Sequence, residues 1–508
     1  MHRSFLLAPI CLVLALAGCS GAAPPAARDT APDAEPGRDA AAVPVDAASD
    51  PTVEPAPGPD TVDDDGDTGA EDAAADSADG DTGADTAPPD DDLDLDGLLR
   101  SQETALGTDP MRPDTDLDLV DDGHDLAPLD PARGLPPAFD ARGLVLAIAA
   151  LPASTPAGRT PHVAGSFNGW TQAALVAGRH GAWGLELPAA AAGESLSYKF
   201  TLGDWATEES GFRGPGANRT LVVPASPGIR ASVVGGWAGV APVAGSVVGR
   251  VDIVPGFELP QLGRSATVRV FVPADYEASG RRYPVLYMQD GQNLFDTATS
   301  AFGAEWQVDE TLTVALVEGW LPGVIVVGVD NGPRRACEYS PFAGSIGCEG
   351  SPGEADAYVG FVVETLKPWV DARYRTLPGR EHTGIAGSSR GGLLALYAGV
   401  TRQEVFSRVL GLSPSLLPAI SGGSMAEVVR AQGRRQPMRI SLDYGDAEVV
   451  FGRSATELIG AMDEVLAALA GVGFAPAELR RDVVAGAVHS EPDWARRFGA
   501  VVDWGFSP

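Results

Sequence analysis

The chain is short of positive charge: 36 lysines and arginines stand against 69 aspartates and glutamates, a net charge of −33. It has no basic stripe, and an acidic chain is repelled by phosphate, which argues against nucleic-acid binding. The N-terminal apolar run, Phe5 to Ala17, spans 13 residues and is too short for a membrane-crossing helix, which needs ~20. Residues 20–90 contain no aromatic side chain at all. Cysteines number four and histidines six, so few residues can form disulfides or act as an imidazole base. The acidity is also localised. Between Ser20 and Asp130, 32 of the 69 acids face four arginines, leaving about −5 for everything else. The charge therefore describes one segment and says little about a substrate. What remains is ordinary: 508 residues, enough for two to four domains, with 44% hydrophobic content to build their cores.

Arg3 followed by the 13-residue apolar run reads as an export signal over residues 1–18. Leu16-Ala17-Gly18-Cys19 resembles the bacterial lipoprotein lipobox, which implies acylation of Cys19. Ser20, where an Asp would signal retention, resembles lipoproteins sorted to an outer membrane. Residues 19–90, rich in Ala, Pro, Asp, Gly and Thr, cannot bury enough apolar surface to offset their ordering entropy. They are expected to form a disordered acidic tether, with a reach of roughly 45 Å as a flexible coil.

From residue 91 to 134 the acids acquire a pattern. Asp92-x-Asp94-x-Asp96-Gly97-x5-Glu103 has the spacing of an EF-hand calcium loop. Alternate carboxylates converge as the chain coils, Gly permits the turn, and the last Glu closes the shell. A second run, Asp114, Asp116, Asp118, Asp122 and Asp125, lacks the Gly. Together with Gly107-Thr108-Asp109-Pro110 these loops resemble thrombospondin type 3 repeats, which implies structural calcium. The other reading is chance alternation in an acid-rich segment.

Residues 137–240 carry short β-rich runs, Leu144–Ile148, Tyr198–Thr201 and Thr220–Val223, between Gly, Pro and Asn turns. The spacing points to an immunoglobulin-like β-sandwich. Gly165-Ser166-Phe167-Asn168-Gly169-Trp170, Trp183, Lys199, Trp205 and Asn218-Arg219 resemble starch-binding modules. That resemblance implies sugar contact by Trp170, Lys199 and Trp205. The competing reading is a domain that only packs against its neighbour.

Residues 247–508 alternate strands and helices, the signature of an α/β fold with a mainly parallel sheet. Thr267–Val272, Val285–Met288 and Val324–Val329 read as strands, and Glu305–Val317, Ala355–Tyr374 and Ala455–Ala470 as helices. Between a strand-like Thr383–Ala386 and a helix-like Gly392–Tyr397 lies Gly387-Ser388-Ser389-Arg390-Gly391. This is a nucleophile elbow with Ser389 at its tip; the glycine spacing argues against Ser388. The only histidine downstream is His489, after the strand-like Leu479–Val484. It is the base that a weakly nucleophilic serine hydroxyl requires. The acid that orients it should follow the strand Met438–Tyr444, where Asp446 and Glu448 are both candidates; resemblance to related families, which place the acid three residues after the Gly (Gly445 here), implies Glu448. One oxyanion donor should be the backbone N–H of Arg390.

Tyr287-x-x-Asp290-Gly291-Gln292-Asn293-Leu294-Phe295, Asp330-Asn331-Gly332 with Arg335 and Glu338-Tyr339-Ser340-Pro341, the elbow, and His489-x-Glu491-x-x-Trp494 resemble one esterase family. It comprises enterochelin esterases, esterase D, feruloyl esterases and mycolyltransferases. The resemblance implies an α/β-hydrolase and ester hydrolysis through an acyl-serine. It also implies Gln292 as the second oxyanion donor, and makes Asp290, Arg335, Glu338 and Tyr339 substrate-cleft candidates or parts of a structural loop. Arg390 departs from the aliphatic residue or Met usual after the serine. With Cys11 in the leader and Cys19 acylated, Cys337 and Cys348 remain as a disulfide pair; no histidine lies nearby to make them a metal site.

The sequence thus predicts an exported serine carboxylesterase, lipid-anchored to the outer membrane, needing no catalytic cofactor. Its substrate would be a carbohydrate-linked or siderophore ester. The alternatives are an acyltransferase, or a calcium-stabilised carbohydrate-binding lipoprotein with an inactive hydrolase fold.

Overall fold

The computed structural model describes residues 91–131, 134–187, 191–211 and 214–507. The export signal, Cys19 and the tether segment lie outside these residues. No helix among the described residues is long and apolar enough to cross a membrane.

The C-terminal part is built on eight strands: β1 (Arg250–Leu259), β2 (Arg264–Val272), β3 (Val285–Gln289), β4 (Ile325–Val329), β5 (Thr383–Ser388), β6 (Arg408–Leu412), β7 (Arg439–Gly445) and β8 (Leu479–Val484). Their order is β1-β2-β4-β3-β5-β6-β7-β8. β2 runs antiparallel to both neighbours and all later pairings are parallel. This is the α/β-hydrolase arrangement that the sequence predicts. Period-2 alternation assigns each strand's side chains to two separate cores. Val285 and Tyr287 of β3 join one cluster; Leu286 and Met288 join the other. The first core is capped by α2 (Arg390–Thr401) and α3 (Ala455–Gly471). The second is capped by α1 (Val308–Glu318) and α4 (Glu491–Phe506). Because helices cover both faces, β4 and β5 are buried along their whole length, and β4 reads as an unbroken apolar run. Neither β1 nor β6 is among the expected strands. β1 is an edge strand interrupted by Pro255 and Gly256 at a register shift between Val254 and Phe257, and such a strand lacks the buried-strand pattern.

Two four-stranded sheets precede this domain. One has the order Gly228–Ser232, Leu144–Ile148, Trp183–Leu187, Val176–Ala177; the other Ala173–Ala174, His162–Gly165, Ser195–Thr201, Arg219–Val222. They share a core of Leu144, Leu146, Ile148, Val163, Leu196, Tyr198, Phe200 and Trp237. Leu144–Ile148 is buried on both faces. Its other face, Val145 and Ala147, packs with Ile229 on Val317 of α1. The Glu318 carboxylate accepts from Ala231 N–H (2.8 Å). The module is thus seated directly on a hydrolase helix.

The acid-rich segment also docks on the hydrolase. Leu119 is fully buried in the second core. Arg282 donates from Nε to Leu95 O (2.5 Å) and from its backbone N–H to Asp121 Oδ2 (3.2 Å). Cys337 and Cys348 form the expected disulfide across a sequence separation of 11. Closing a loop of that size contributes about 2–3 kcal/mol.

Candidate active site

β5 ends at Ser388, and Ser389 takes φ 54°, ψ −118° before α2 begins at Arg390. A non-glycine residue in this region stores of order 1–3 kcal/mol of strain, so its surroundings must hold it there. Ser389 N–H donates to Leu412 O (3.0 Å), and Ser389 O accepts from Ser415 N–H (2.8 Å). The flanking glycines are a steric necessity. A Cβ on Gly387 would lie 2.4 Å from the Gln289 side-chain amide and 2.7 Å from the Gly391 carbonyl carbon. On Gly392 it would lie 3.0 Å from Pro414. The turn lifts Ser389 clear at the C-terminal ends of the parallel strands, where the loops after β6, β7 and β8 meet.

The loop after β7 brings one of its two candidate acids to His489. Glu448 is completely buried and its Oε2 lies 2.8 Å from His489 Nδ1. Asp446 is exposed and accepts from Gly486 N–H (2.6 Å); it braces the loop before the histidine. Because the Glu448 oxygen can only accept, the proton of this bond belongs to Nδ1 and Nε2 is left as the basic nitrogen. The His489 ring rests edge-on against Trp494 at 4.9 Å.

Glu448 Oε1 accepts from Ser413 Oγ (2.5 Å) and Gly445 N–H (2.7 Å). Ser413 Oγ in turn accepts from Trp494 Nε1 (3.0 Å) and Arg497 Nη2 (2.9 Å), and Arg497 Nη1 is tied to Asp443 Oδ1 (2.7 Å). Burial alone would raise the Glu448 carboxyl. The hydrogen bonds from His489, Ser413 and Gly445 outweigh it and hold the group below its ordinary 4.5. Ser413, Arg497 and Asp443 were not among the sequence candidates. Ser413-Pro414-Ser415 and Arg497 belong to no motif the sequence showed, and their role exists only once β6, β7 and α4 converge.

Ser389 Oγ faces Ser415 Oγ at 3.5 Å. Among the described residues no hydrogen bond joins it to His489. The Arg390 N–H stands at the first position of α2, where helical N–H groups have no intrahelical acceptor. Gln292 lies in the short helix Gly291–Asn293 just after β3, behind Asp290 at φ 58°. The Arg390 side chain turns away from the elbow to Ser345 Oγ (2.6 Å) and the Ile346 carbonyl, inside the disulfide loop.

The other cleft candidates are framework. Asp290 is clamped bidentately by Arg335 (2.6 and 2.7 Å) and takes Asn331 Nδ2 at 2.6 Å. Glu338 is buried in a two-pronged pair with Arg264 (2.7 and 2.6 Å), and Tyr339 is fully buried with its hydroxyl near Asp290 N–H (3.3 Å). Glu338 and Tyr339 therefore belong to the structural-loop reading, because burial and existing partners leave them nothing to offer a substrate. In the preceding module Trp170 and Trp205 rings lie 6.1 Å apart, and Trp205 is 46% exposed. Lys199 is buried with its ammonium on Glu208 (2.8 Å), so it is not a free donor for a sugar hydroxyl.

The two acidic loops share one backbone design. Asp92 accepts from Leu95 N–H (2.7 Å) and Gly97 N–H (3.1 Å); Asp114 accepts from Leu117 N–H (2.7 Å) and Leu119 N–H (2.9 Å). Leu119, at φ 77°, occupies the left-handed position that Gly97 fills at φ 98°. Asp92, Asp94 and Asp96 converge in the first loop, and Asp114, Asp116 and Asp118 in the second, with oxygens within 4.8 Å. Glu103 meets Asp96 as expected, but Asp122 crosses from the second run to join them. Asp125 stands outside the second group of three and receives Ala127 N–H (2.8 Å). Both oxygens of Asp94 and of Glu103 are buried without a hydrogen-bond partner.

A group whose folded-state pKa is depressed stabilises the fold above its unfolded value, and that stability is lost as pH falls through the folded value. Glu448→Gln should therefore be less stable than wild type at pH 7, with the gap closing as pH drops below about 4.5. Urea denaturation of both chains at pH 7 and at progressively lower pH reads this; a gap independent of pH would contradict it.

Residues 260–501 match the model of the family described as "Putative esterase". The siderophore enterobactin esterase of Emericella nidulans is 32% identical over 151 residues, 28% of this chain and 48% of that protein. The ferri-bacillibactin esterase of Bacillus subtilis is 26% identical over 182 residues, 33% of this chain and 60% of that protein. The chain thus spans about half the length of these relatives. Among solved structures, an enterochelin esterase from Shigella flexneri aligns with a TM-score of 0.40 at 19% identity, covering 68% of this chain and 87% of that one. The segment that carries the elbow, the acid loop and the histidine loop is therefore the segment that matches the esterase family.

Proposed function

We propose that this chain is an exported serine carboxylesterase. The observation that carries the reading is the buried Glu448 on His489 Nδ1, in the loops after β7 and β8, at the same end of the sheet as the strained Ser389 elbow after β5. Ser389 Oγ turns from Ser415 to His489 when an ester enters, as free enzymes commonly hold such bonds loosely. His489 Nε2 takes the hydroxyl proton as Oγ adds to the carbonyl carbon. The oxyanion forms against the N–H groups of Arg390 and Gln292. His489 then gives the proton to the departing alcohol, leaving acyl-Ser389. Water, deprotonated by the same nitrogen, releases the acid. Glu448 holds the ring and stabilises the imidazolium without taking the proton. The siderophore esters named for the relatives place siderophore-type esters first in a substrate panel, with feruloyl and acetyl-polysaccharide esters beside them. The Glu448–His489 pair and the strained Ser389 elbow support an active fold over an inactive one. Sugar binding rests on the Trp170–Trp205 pair alone, whereas the module's seat on α1 supports a packing role.

Ser389→Ala should lower hydrolysis of a short p-nitrophenyl ester by roughly four orders of magnitude, and Glu448→Gln by roughly two to four. Asp446→Asn should stay within several-fold of wild type. Equal rates for wild type and Ser389→Ala would sink the catalytic reading.

The orphaned carboxylate oxygens of the acidic segment support structural calcium, because uncompensated buried anions are costly and a hard cation takes oxygen ligands. Calcium titrated into the full chain should release binding heat and raise the melting temperature, less so in Asp96→Asn and Asp114→Asn. No heat at millimolar calcium would exclude these sites. The lipobox resemblance supports attachment to the outer membrane through Cys19. A labelled fatty acid should mark wild type and not Cys19→Ala; an unmarked wild type would rule the anchor out.

A further inference from the structure

A second cluster of acids lies inside the hydrolase domain, away from both acidic loops. Glu305 precedes α1, and Asp309 and Glu310 sit in its first turn. All three are buried, and their oxygens come within 4.8 Å of one another. Part of this constellation is accounted for. Ser246 Oγ donates to Glu305 Oε1 (2.5 Å), and Val248 N–H to Asp309 Oδ2 (2.6 Å). Four oxygens are not: Glu305 Oε2, Asp309 Oδ1 and both oxygens of Glu310 are buried with no hydrogen-bond partner. Among the described residues no salt bridge reaches them; Arg496, which lines a pocket with Glu305, is paired with Asp493. The charges that act on these carboxylates are one another's and that of Asp296. Asp296 is itself drawn in, accepting from Ser246 N–H (3.1 Å).

Three buried carboxylates cannot keep their charge without a counter-charge. Their donor set is oxygen only, which selects hard cations such as calcium, magnesium or manganese over zinc or copper. Glu305 also lines a surface pocket with Thr297, Gln307 and Arg496, so this edge of the cluster lies next to solvent. We propose that Glu305, Asp309 and Glu310 form a divalent-cation site that fastens the 246–248 linker to the start of α1.

The site is placed to matter for the elbow's surroundings. The same segment donates from Trp306 N–H to Asn293 O (2.9 Å), in the helix that carries Gln292. The Trp306 ring packs tilted against Trp494 at 5.6 Å, and Trp494 supports His489. An ion here braces the loop behind the oxyanion donor and takes no part in bond making.

The test counts ions in the full chain. Wild type, Asp309→Asn, Glu305→Gln and Asp96→Asn are stripped with chelator and equilibrated with calcium alone or manganese alone. After gel filtration they are assayed for metal and protein. Asp309→Asn and Glu305→Gln should each bind one ion fewer than wild type, while Asp96→Asn keeps that ion. Both amide variants retain the oxygen that accepts from the linker, and losing a like charge favours their folding. Melting temperatures give a second readout: the ion should raise wild type more than either amide variant. Equal metal counts in wild type and both amide variants overturn the proposal, and mean that a proton held within the cluster neutralises it. The outcome is independent of ester hydrolysis and of the acidic loops.

Discussion

The buried charge of Glu448 is the interaction around which the strand ends are organised. A carboxylate removed from water must be surrounded by donors. Here they come from four places: Ser413 after β6, Gly445 at the end of β7, His489 after β8, and Arg497 of α4, which reaches it through Ser413. Each loop is held because the acid needs it. The imidazole receives its tautomer, its orientation and its aromatic support from the same network. Ser389 depends on it at one remove, since Leu412 and Ser415, which hold its strained backbone, flank Ser413.

The same requirement divides the other buried acids into two groups. Asp290, Glu338 and Asp443 each have an arginine, and the pairs with Arg335, Arg264 and Arg497 tie loops to the sheet. Those acids are framework, and their charge is already answered. The acids of the two N-terminal loops and of the α1 cluster have oxygens that no protein donor reaches. A polypeptide that can supply arginines at three places and leaves other carboxylates without any has built two kinds of site. One kind is complete by itself, and the other calls for a cation or a proton from solution.

The elbow, the histidine, the disulfide and the parallel sheet were legible in the chain because each follows from local rules. Glycines must flank a strained serine, one histidine lies downstream of it, and strands buried on both faces must be apolar throughout. The EF-hand spacing was legible for the same reason, since the loop is made by one short stretch of backbone. The second loop shows where the local rule stops. It has Leu119 where the first has Gly97, and the left-handed conformation is sustained by burying that leucine in the hydrolase core.

What the amino-acid order determined by itself was therefore the set of turns and periodicities: where Ser389 must be strained, which residues line a sheet, which acids share a coil. The sequence favoured Glu448 over Asp446, but the contact of Glu448 with His489 came only with tertiary structure. The two stand two residues apart in one loop, and only the packing of β6, β8 and α4 buries one and leaves the other in water. The role of Ser413, the transfer of Asp122 to the first acidic loop, and the meeting of Glu305 with Asp309 and Glu310 were decided the same way. Each depends on groups brought together across elements, and the free energy of a buried charge is a property of that assembled surrounding.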